Sequence, residues 1–335
     1  MGHAKMDGLS VSVAMCTYNG VRFLPAQLDS ISRQTHLPGE LVIQDDGSND
    51  GTAELIERFG RNAPFPVRFQ VNPQRKGPAR NFEACLARCA GDVVVLTDQD
   101  DIWLPDRVER TVAAYHDAAV TFTYADAPLV DDAGTLLGRT IFATVPVRSA
   151  DRSLLAKGGD LMPLILRYGV LYGATMSIRR EIFDAAAPFP SGWSHDEWLS
   201  LVGAAIGRAA CMAPVMQYRQ HSAQVVGAGA GGIQAILTGA RHHSSSFYEA
   251  ERLRYEVAMQ AAGHSSILTT ALRPHLERKH RFLLARQQIQ QGGIGSLAQS
   301  VRQVFRGNYT RFASGFRSFA KDASIAFRAM TGTGR

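Results

Sequence analysis

Between residues 11 and 110, short apolar runs alternate with stretches whose apolar positions fall three and four apart. The runs at 11–15, 41–43, 67–71 and 93–96 are rich in β-branched residues, and the periodic stretches lie at 21–33, 52–59 and 78–89. Short β-branched runs read as buried strands, and strand-helix alternation predicts an α/β fold: a mostly parallel central sheet with helices on both faces. Loops that handle a ligand then gather at the carboxyl ends of the strands. Beyond residue 101 the pattern predicts a strand at 120–124, a hairpin turn at 131–134 and a short helix at 160–168. A strand at 171–178 contains Gly173, where backbone can approach a ligand closely. A Gly/Ala-rich connector at 228–240 is followed by helical sequence over 241–335.

Three polar loops follow the first, second and fourth strands: Cys16-Thr17-Tyr18-Asn19-Gly20, the run from Asp45 to Thr52, and Asp98-Gln99-Asp100-Asp101. Three acids within four residues repel one another. Closely spaced oxygen ligands suit a hard divalent ion, Mg²⁺ or Mn²⁺, that also holds phosphate oxygens. A helix cap at Asp101 accounts for one of these acids, not three. In the second loop, Asp50 or Ser48 can cap the next helix, which leaves Asp45 and Asp46 free to accept from a pyrimidine N–H or ribose hydroxyls. Arg80 opens the following helix, where it reaches a phosphate or base, or else is a solvated surface arginine. Asp196, in Ser194-His195-Asp196-Glu197-Trp198, is either a helix cap or an acid placed for chemistry.

The chain has 335 residues, 45% hydrophobic and 20% charged, enough for a full core with one large domain or a domain plus appendage. A net charge of +6 favours an anionic partner without choosing among nucleic acid, nucleotide diphosphate and acidic lipid. Cys85 and Cys89 sit one helical turn apart with no further ligand to complete a zinc set, so reduced buried thiols of a cytosolic protein are expected. The first residues hold no apolar signal core, and no stretch reaches the roughly twenty apolar residues that span a bilayer. From 301 to 335, seven basic residues face Asp322 alone, among Phe305, Tyr309, Phe312, Phe316, Phe319 and Phe327. That aromatic stripe suits a helix lying on an anionic membrane surface, or one packing on the catalytic domain.

The loops together resemble family 2 glycosyltransferases of the GT-A fold, and within them bacterial rhamnosyltransferase-type enzymes of polysaccharide and O-antigen assembly. The matching segments are 15–20, 43–52, 77–82, the Asp98 cluster, 195–199 and 218–227, so a catalytic domain over 1–227 is expected. The resemblance implies that Cys16, Thr17, Tyr18, Asn19 and Asp46 hold the nucleotide base, with Asp45 supporting and Arg80 and Gln99 beside them. It implies Asp98 at the ribose, Asp100 as the metal ligand with His221 near the metal, and Asp196 as the general base of an inverting transfer. The implied donor is a nucleotide-diphosphate sugar, dTDP-L-rhamnose ahead of UDP- or GDP-sugars, and the acceptor a glycan or lipid-linked glycan. A cytoplasmic protein peripheral to the inner face of the plasma membrane follows, and a homo-oligomer is compatible with it.

Two other classes compete. A nucleotidyltransferase can use a related sheet, but the first loop lacks its glycine-rich basic cradle. A noncatalytic sugar-nucleotide or nucleic-acid binding protein fits the basic balance. It leaves the Asp98 cluster together with Asp196 unexplained, and no nucleic acid is expected because the basic residues lack the interleaving of a single-strand channel.

Overall fold

A computed structural model describes residues 5–6, 8–145, 147–221 and 244–331. The expected connector at 228–240, and residues 222–227 of the last matching segment, lie outside them. The chain divides into two compact units. One comprises residues 1–161, 170–189 and 193–233; the other comprises 162–169, 190–192 and 234–335.

The first unit is built on β1 (Lys5–Met6), β2 (Leu9–Thr17), β3 (Glu40–Asp45), β4 (Val67–Val71), β5 (Val93–Thr97), β6 (Ile102–Trp103), β7 (Val120–Ala125), β8 (Pro128–Val130), β9 (Leu136–Thr140), β10 (Ser177–Arg179), β11 (Arg208–Met212) and β12 (Met216–Arg219). An eight-stranded sheet runs β11-β7-β10-β5-β2-β3-β4, with β1 on β2. Strands β5, β2, β3 and β4 pair in parallel, as the alternation predicts. Their residues Val13, Val42, Val94 and Val95 are out of water because helices such as Leu24–Ser32 and Pro78–Arg88 bury apolar faces against the sheet. Strand β10 runs antiparallel between β5 and β7. The strand expected at 171–178 is therefore corrected: Gly173–Thr175 forms a 3-10 turn, and only Ser177–Arg179 is strand.

A second, four-stranded sheet runs β6-β12-β8-β9. Its β8–β9 hairpin turns at Asp131–Gly134, where Asp131 accepts the amides of Ala133 and Thr135 and Gly134 takes a φ of 87°. Strand β12 carries Arg219 and His221 back toward the end of β5.

The helical unit contains Ser245–Ala262, Ser266–Ala271, Arg273–Ile289, Ile294–Phe305, Asn308–Phe312 and Phe316–Thr331, together with Met162–Tyr168. Its core holds a bidentate Arg286–Asp322 pair, at 2.7 and 2.8 Å, to which the Tyr309 hydroxyl donates at 2.7 Å. The aromatic stripe expected on one helical face is corrected. Gly307 and Gly315, both at positive φ, break the segment into three helices. Tyr309 and Phe312 turn inward onto Phe282, whereas Phe305 and Phe316 stay exposed.

Candidate active site at the carboxyl ends of the strands

The loops after β2 and β3 are knitted together by side chains. Asp45, fully buried at the end of β3, accepts the Thr17 hydroxyl at 2.7 Å, the Ser48 hydroxyl at 2.6 Å and the amides of Gly47 and Ser48. With so many donors it fixes the two loops and has little capacity left for a base. Asn19, in left-handed conformation at φ 49°, donates its backbone amide to the Ser48 hydroxyl oxygen and accepts the amide of Asn49 on Oδ1. Thr52 accepts the amide of Gly20, and Asp50 that of Val21.

Asp46 is held from the other side. It accepts Asn72 Nδ2 at 2.9 Å and the amides of Lys76 and Gly77 at 2.7 and 2.8 Å. A carboxylate offers about four lone-pair positions, so one remains for a ligand. Gln99 clamps the first loop, accepting the Tyr18 amide at 2.9 Å and donating to its carbonyl at 3.0 Å. A Cβ on Gly20 would meet Gln99 Oε1 at 2.1 Å, so the clamp requires glycine there. Both polar atoms of the Gln99 amide are thus engaged with the loop. The exposed Arg80 pairs with Glu83, whose other oxygen accepts the Phe189 amide. Arg75, which no motif singled out, stacks its guanidinium 3.9 Å from the Tyr18 ring centre.

At the end of β5, carboxylate oxygens of Asp98, Asp100 and Asp101 lie within 4.8 Å of one another. Asp101 is fully buried; Oδ1 accepts the Arg219 amide at 3.1 Å and Oδ2 has no partner among the described residues. Burial, then the charges of Asp100 and Asp98, hold its carboxyl well above the usual range. Asp98 is pushed up to about 7 by burial, then by Asp100 and Asp196. By its charge, the buried Arg107 opposes this. It donates to the carbonyls of Leu96 and Ala174 and stacks on Trp103, and burial lowers its own pKa to about 9. Three acids beside the guanidinium groups of Arg107 and the buried Arg219, whose Nε donates to the Asp100 carbonyl at 2.8 Å, still leave an excess of negative charge, and an oxygen-rich set with an orphaned buried oxygen fits a hard divalent cation. His221 Nε2 sits 2.7 Å from Asp100 Oδ2 with its ring on Phe23, so that nitrogen holds Asp100.

Asp196 stands in the first turn of the helix His195–Ile206, capped by Ser194. Its Oδ1 accepts the Ser194 hydroxyl at 2.5 Å and the Glu197 amide at 2.8 Å, while Oδ2 accepts only the Gly173 amide, at 3.2 Å. The 3-10 turn that displaced the expected strand therefore supplies this contact. A Cβ on Gly173 would lie 2.4 Å from His195 Nε2, and His195 in turn stacks on Phe82 at 3.8 Å. The Tyr172 hydroxyl, buried and without a partner among the described residues, is pushed up to about 12 by burial and then Asp196.

Mutual charge effects link these groups. Asp196 acts on Asp98, and Asp98 and Asp46 both act on the Cys16 thiol, whose pKa burial raises first. The Gly173–Thr175 turn, whose first amide Asp196 accepts, shares Arg107 with the Leu96 carbonyl at the end of β5, so Asp196 and the Asp98 cluster stand on neighbouring elements. No motif points to Arg107, Asn72 or Tyr172; Arg107 in particular lies in an amphipathic helix start that reads as surface.

Sheet order and strand-end loops make this a GT-A fold. Residues 12–185, more than half of the chain, match glycosyl transferase family 2, and the chain belongs to that family. It is 25% identical over 136 residues to the Escherichia coli UDP-Glc:alpha-D-GlcNAc-diphosphoundecaprenol beta-1,3-glucosyltransferase WfgD, covering 41% of this chain and 52% of that one. It is 30% identical over 102 residues to the Shigella flexneri dTDP-rhamnosyl transferase RfbG, covering 29% and 35%. S. aureus TarS, residues 1–349, aligns at a TM-score of 0.57 and 14% identity over 96% of this chain and 92% of that one; a likeness at that identity speaks for the fold. Another TarS structure holds UDP-GlcNAc. The chain spans 56%, 63% and 52% of the length of the first curated relatives it matches.

Proposed function

We propose that this chain transfers a sugar, with inversion, from a nucleotide-diphosphate donor to a hydroxyl of a glycan or lipid-linked glycan in cell-surface polysaccharide synthesis. The observation that carries the reading is the Asp98 cluster, three carboxylates within 4.8 Å of one another, together with Asp196, whose Oδ2 accepts the Gly173 amide. A catalytic region over 1–227 and a helical region over 241–335 go with it.

In this reading the backbone of residues 16–19 and the remaining lone pair of Asp46 receive the base, and Arg80 stands beside it. Asp45 and Gln99 keep the receiving loops in place. Asp98 takes the ribose. Asp100, with Asp98 and Asp101 beside it and His221 behind, would hold Mg²⁺ or Mn²⁺, which would supply charge compensation for the departing diphosphate. Asp196 Oδ2 takes the proton of the acceptor hydroxyl as that oxygen attacks the anomeric carbon opposite the diphosphate. A single displacement inverts the configuration, by the logic that separates inverting from retaining glycosidases. Likeness to RfbG favours dTDP-L-rhamnose; WfgD, by name a UDP-Glc enzyme, and the TarS complex favour a UDP-sugar instead. WfgD's diphosphoundecaprenol acceptor favours work at the cytoplasmic membrane face, with this chain bound peripherally.

The test is incubation with dTDP-L-rhamnose, UDP- and GDP-sugars and either cation, following nucleoside diphosphate release with an acceptor present. Asp196→Asn is expected to lower turnover by about 10²–10⁴-fold while sparing donor binding. Unchanged turnover in that variant would remove Asp196 from the chemistry.

A further inference from the structure

The helices Arg273–Ile289 and Ile294–Phe305 run antiparallel. Arg278 Nη2 donates to the Arg306 carbonyl at 3.0 Å near one end of the pair, and the Ser296 hydroxyl to the Gln288 carbonyl at 3.4 Å near the other. A cleft of about 550 Å³ lies between them, and every residue that lines it belongs to the helical unit. Its two ends differ in chemistry. Arg278, Arg281 and Arg306 crowd one end, and Gln288 and Gln299 stand at the other. Arg281 and Gln288 are seven residues apart, as are Gln299 and Arg306, so at about 1.5 Å per residue each helix sets its cation and its amide about 10 Å from one another. Leu284 supplies an apolar wall between the ends.

The cationic end is built from behind by buried polar groups. Gln303, 2% exposed, accepts Asn308 Nδ2 at 2.6 Å, and Asn308, 6% exposed, accepts Arg278 Nε at 3.2 Å on its Oδ1. Burial, then the charges of Arg311 and Arg281, hold the Arg278 guanidinium below its usual range, so like charges are kept together there. No acid lines the cleft to relieve them. Residues 244–331 hold thirteen basic side chains against five acidic ones, and four of those acids pair at 3.2 Å or less with Arg252, Arg254, Arg273 and Arg286. Among the described residues Arg281 keeps only a loose 3.7 Å pair with Glu277, and Arg306 has no acidic partner.

We propose that this cleft binds a phosphorylated saccharide from solution, with its phosphate on Arg278, Arg281 and Arg306 and its hydroxyls on Gln288 and Gln299. Guanidinium groups give phosphate its strongest charge-assisted hydrogen bonds, and an amide both donates and accepts, as a sugar hydroxyl requires. Leu284 meets the apolar face of the ring. A bare phosphate would leave the amide end, about 10 Å away, without an occupant. The source of the phosphate follows from the helix Ile294–Phe305, whose exposed Ile294, Val301, Val304 and Phe305 centre about 180° around the axis from Gln299, Gln303 and Arg306. A bilayer laid on those apolar side chains would leave the cleft facing away from it, so the ligand arrives through water. Because the lining residues all belong to the helical unit, the site stands or falls apart from the transferase reading of the sheet unit.

The experiment is calorimetric titration of the full chain, free of metal and at about 0.1 M salt, with glucose 1-phosphate, inorganic phosphate, glucose and phosphatidylglycerol vesicles in turn. Glucose 1-phosphate is expected to bind at least about fivefold more tightly than inorganic phosphate, and glucose more weakly than either. Arg281→Ala and Arg306→Ala are each expected to weaken glucose 1-phosphate about five- to tenfold, and Arg306→Lys less. Gln288→Ala with Gln299→Ala should bring glucose 1-phosphate down to the strength of inorganic phosphate and leave inorganic phosphate unchanged. Arg281, Gln288 and Arg306 are exposed, so their variants should melt with the parent protein. Glucose 1-phosphate binding that none of these variants moves would overturn the proposal. Equal affinity for inorganic phosphate and glucose 1-phosphate would do the same, as would vesicles that bind through Arg281 and Arg306 while glucose 1-phosphate does not.

Discussion

Asp101 in the sheet unit and Asp322 in the helical unit are both fully buried, yet their surroundings differ in kind. Asp322 meets the fork of Arg286 and the Tyr309 hydroxyl, so both of its oxygens are satisfied. Asp101 has one backbone donor and an orphaned oxygen, with two further acids close by. Burial of a charge is tolerated where a partner is built in, as in the helical unit. Where acids are gathered without enough cations, the deficit points to something the site receives, and the polar loops that converge on it belong to the same strand ends.

The comparison breaks most directly at Arg286. Arg286→Met leaves Asp322 buried without its cation and is expected to cost about 3–5 kcal/mol in urea unfolding. A loss under about 1 kcal/mol would mean the pair is not what holds that core. In contrast, Asp101→Asn puts a neutral amide where burial already favours the neutral carboxyl, and is expected to change stability by no more than about 1 kcal/mol.

Titration sharpens the contrast, because the two units give slopes of opposite sign. Asp98 has a folded pKa of about 7, above its unfolded value, so the folded state binds the extra proton between roughly pH 4 and 7. Metal-free stability should therefore fall as pH rises through that window, by at most about 1.4 kcal/mol per unit. Lys279, whose ammonium nitrogen donates to the carbonyls of Leu166 and Phe312, is pushed down to about 7 by burial. Here the unfolded state binds the extra proton from about pH 7 to 10, so stability should rise with pH there. Lys279→Met should flatten the upper slope and leave the lower one, whereas Asp98→Asn should reduce the lower slope, of which Asp101 keeps a part, and leave the upper one; thermal melts across pH read both. The smallest effect expected is Phe305→Ser, within about 0.5 kcal/mol, because that ring is exposed.

The strands β2, β3 and β5 were legible because burial on both faces demands apolar runs, and the acids were legible because they stand at the ends of those runs. What sequence concealed depends on distant partners. Gln99 looks like a ligand-facing amide until Gly20 and Tyr18 are brought beside it. Arg107 begins an amphipathic helix and reads as solvated, yet the crossing of β12 and the Gly173 turn closes over it. The same turn replaced an expected strand because Asp196 captures its amide, a contact 23 residues away. The aromatic stripe failed for a reason visible in the sequence: Gly307 and Gly315 interrupt it, and Phe282 draws Tyr309 and Phe312 inward.

The most direct test of the claim that the sheet unit's acids are gathered for a cation and its diphosphate is Asp100→Asn, measured by Mn²⁺ titration and by metal-free melting on one preparation. The account predicts Mn²⁺ affinity reduced at least about tenfold, with the metal-free melting temperature unchanged or raised. Unaltered Mn²⁺ binding together with a lowered melting temperature would contradict it, since the acid would then be serving the fold.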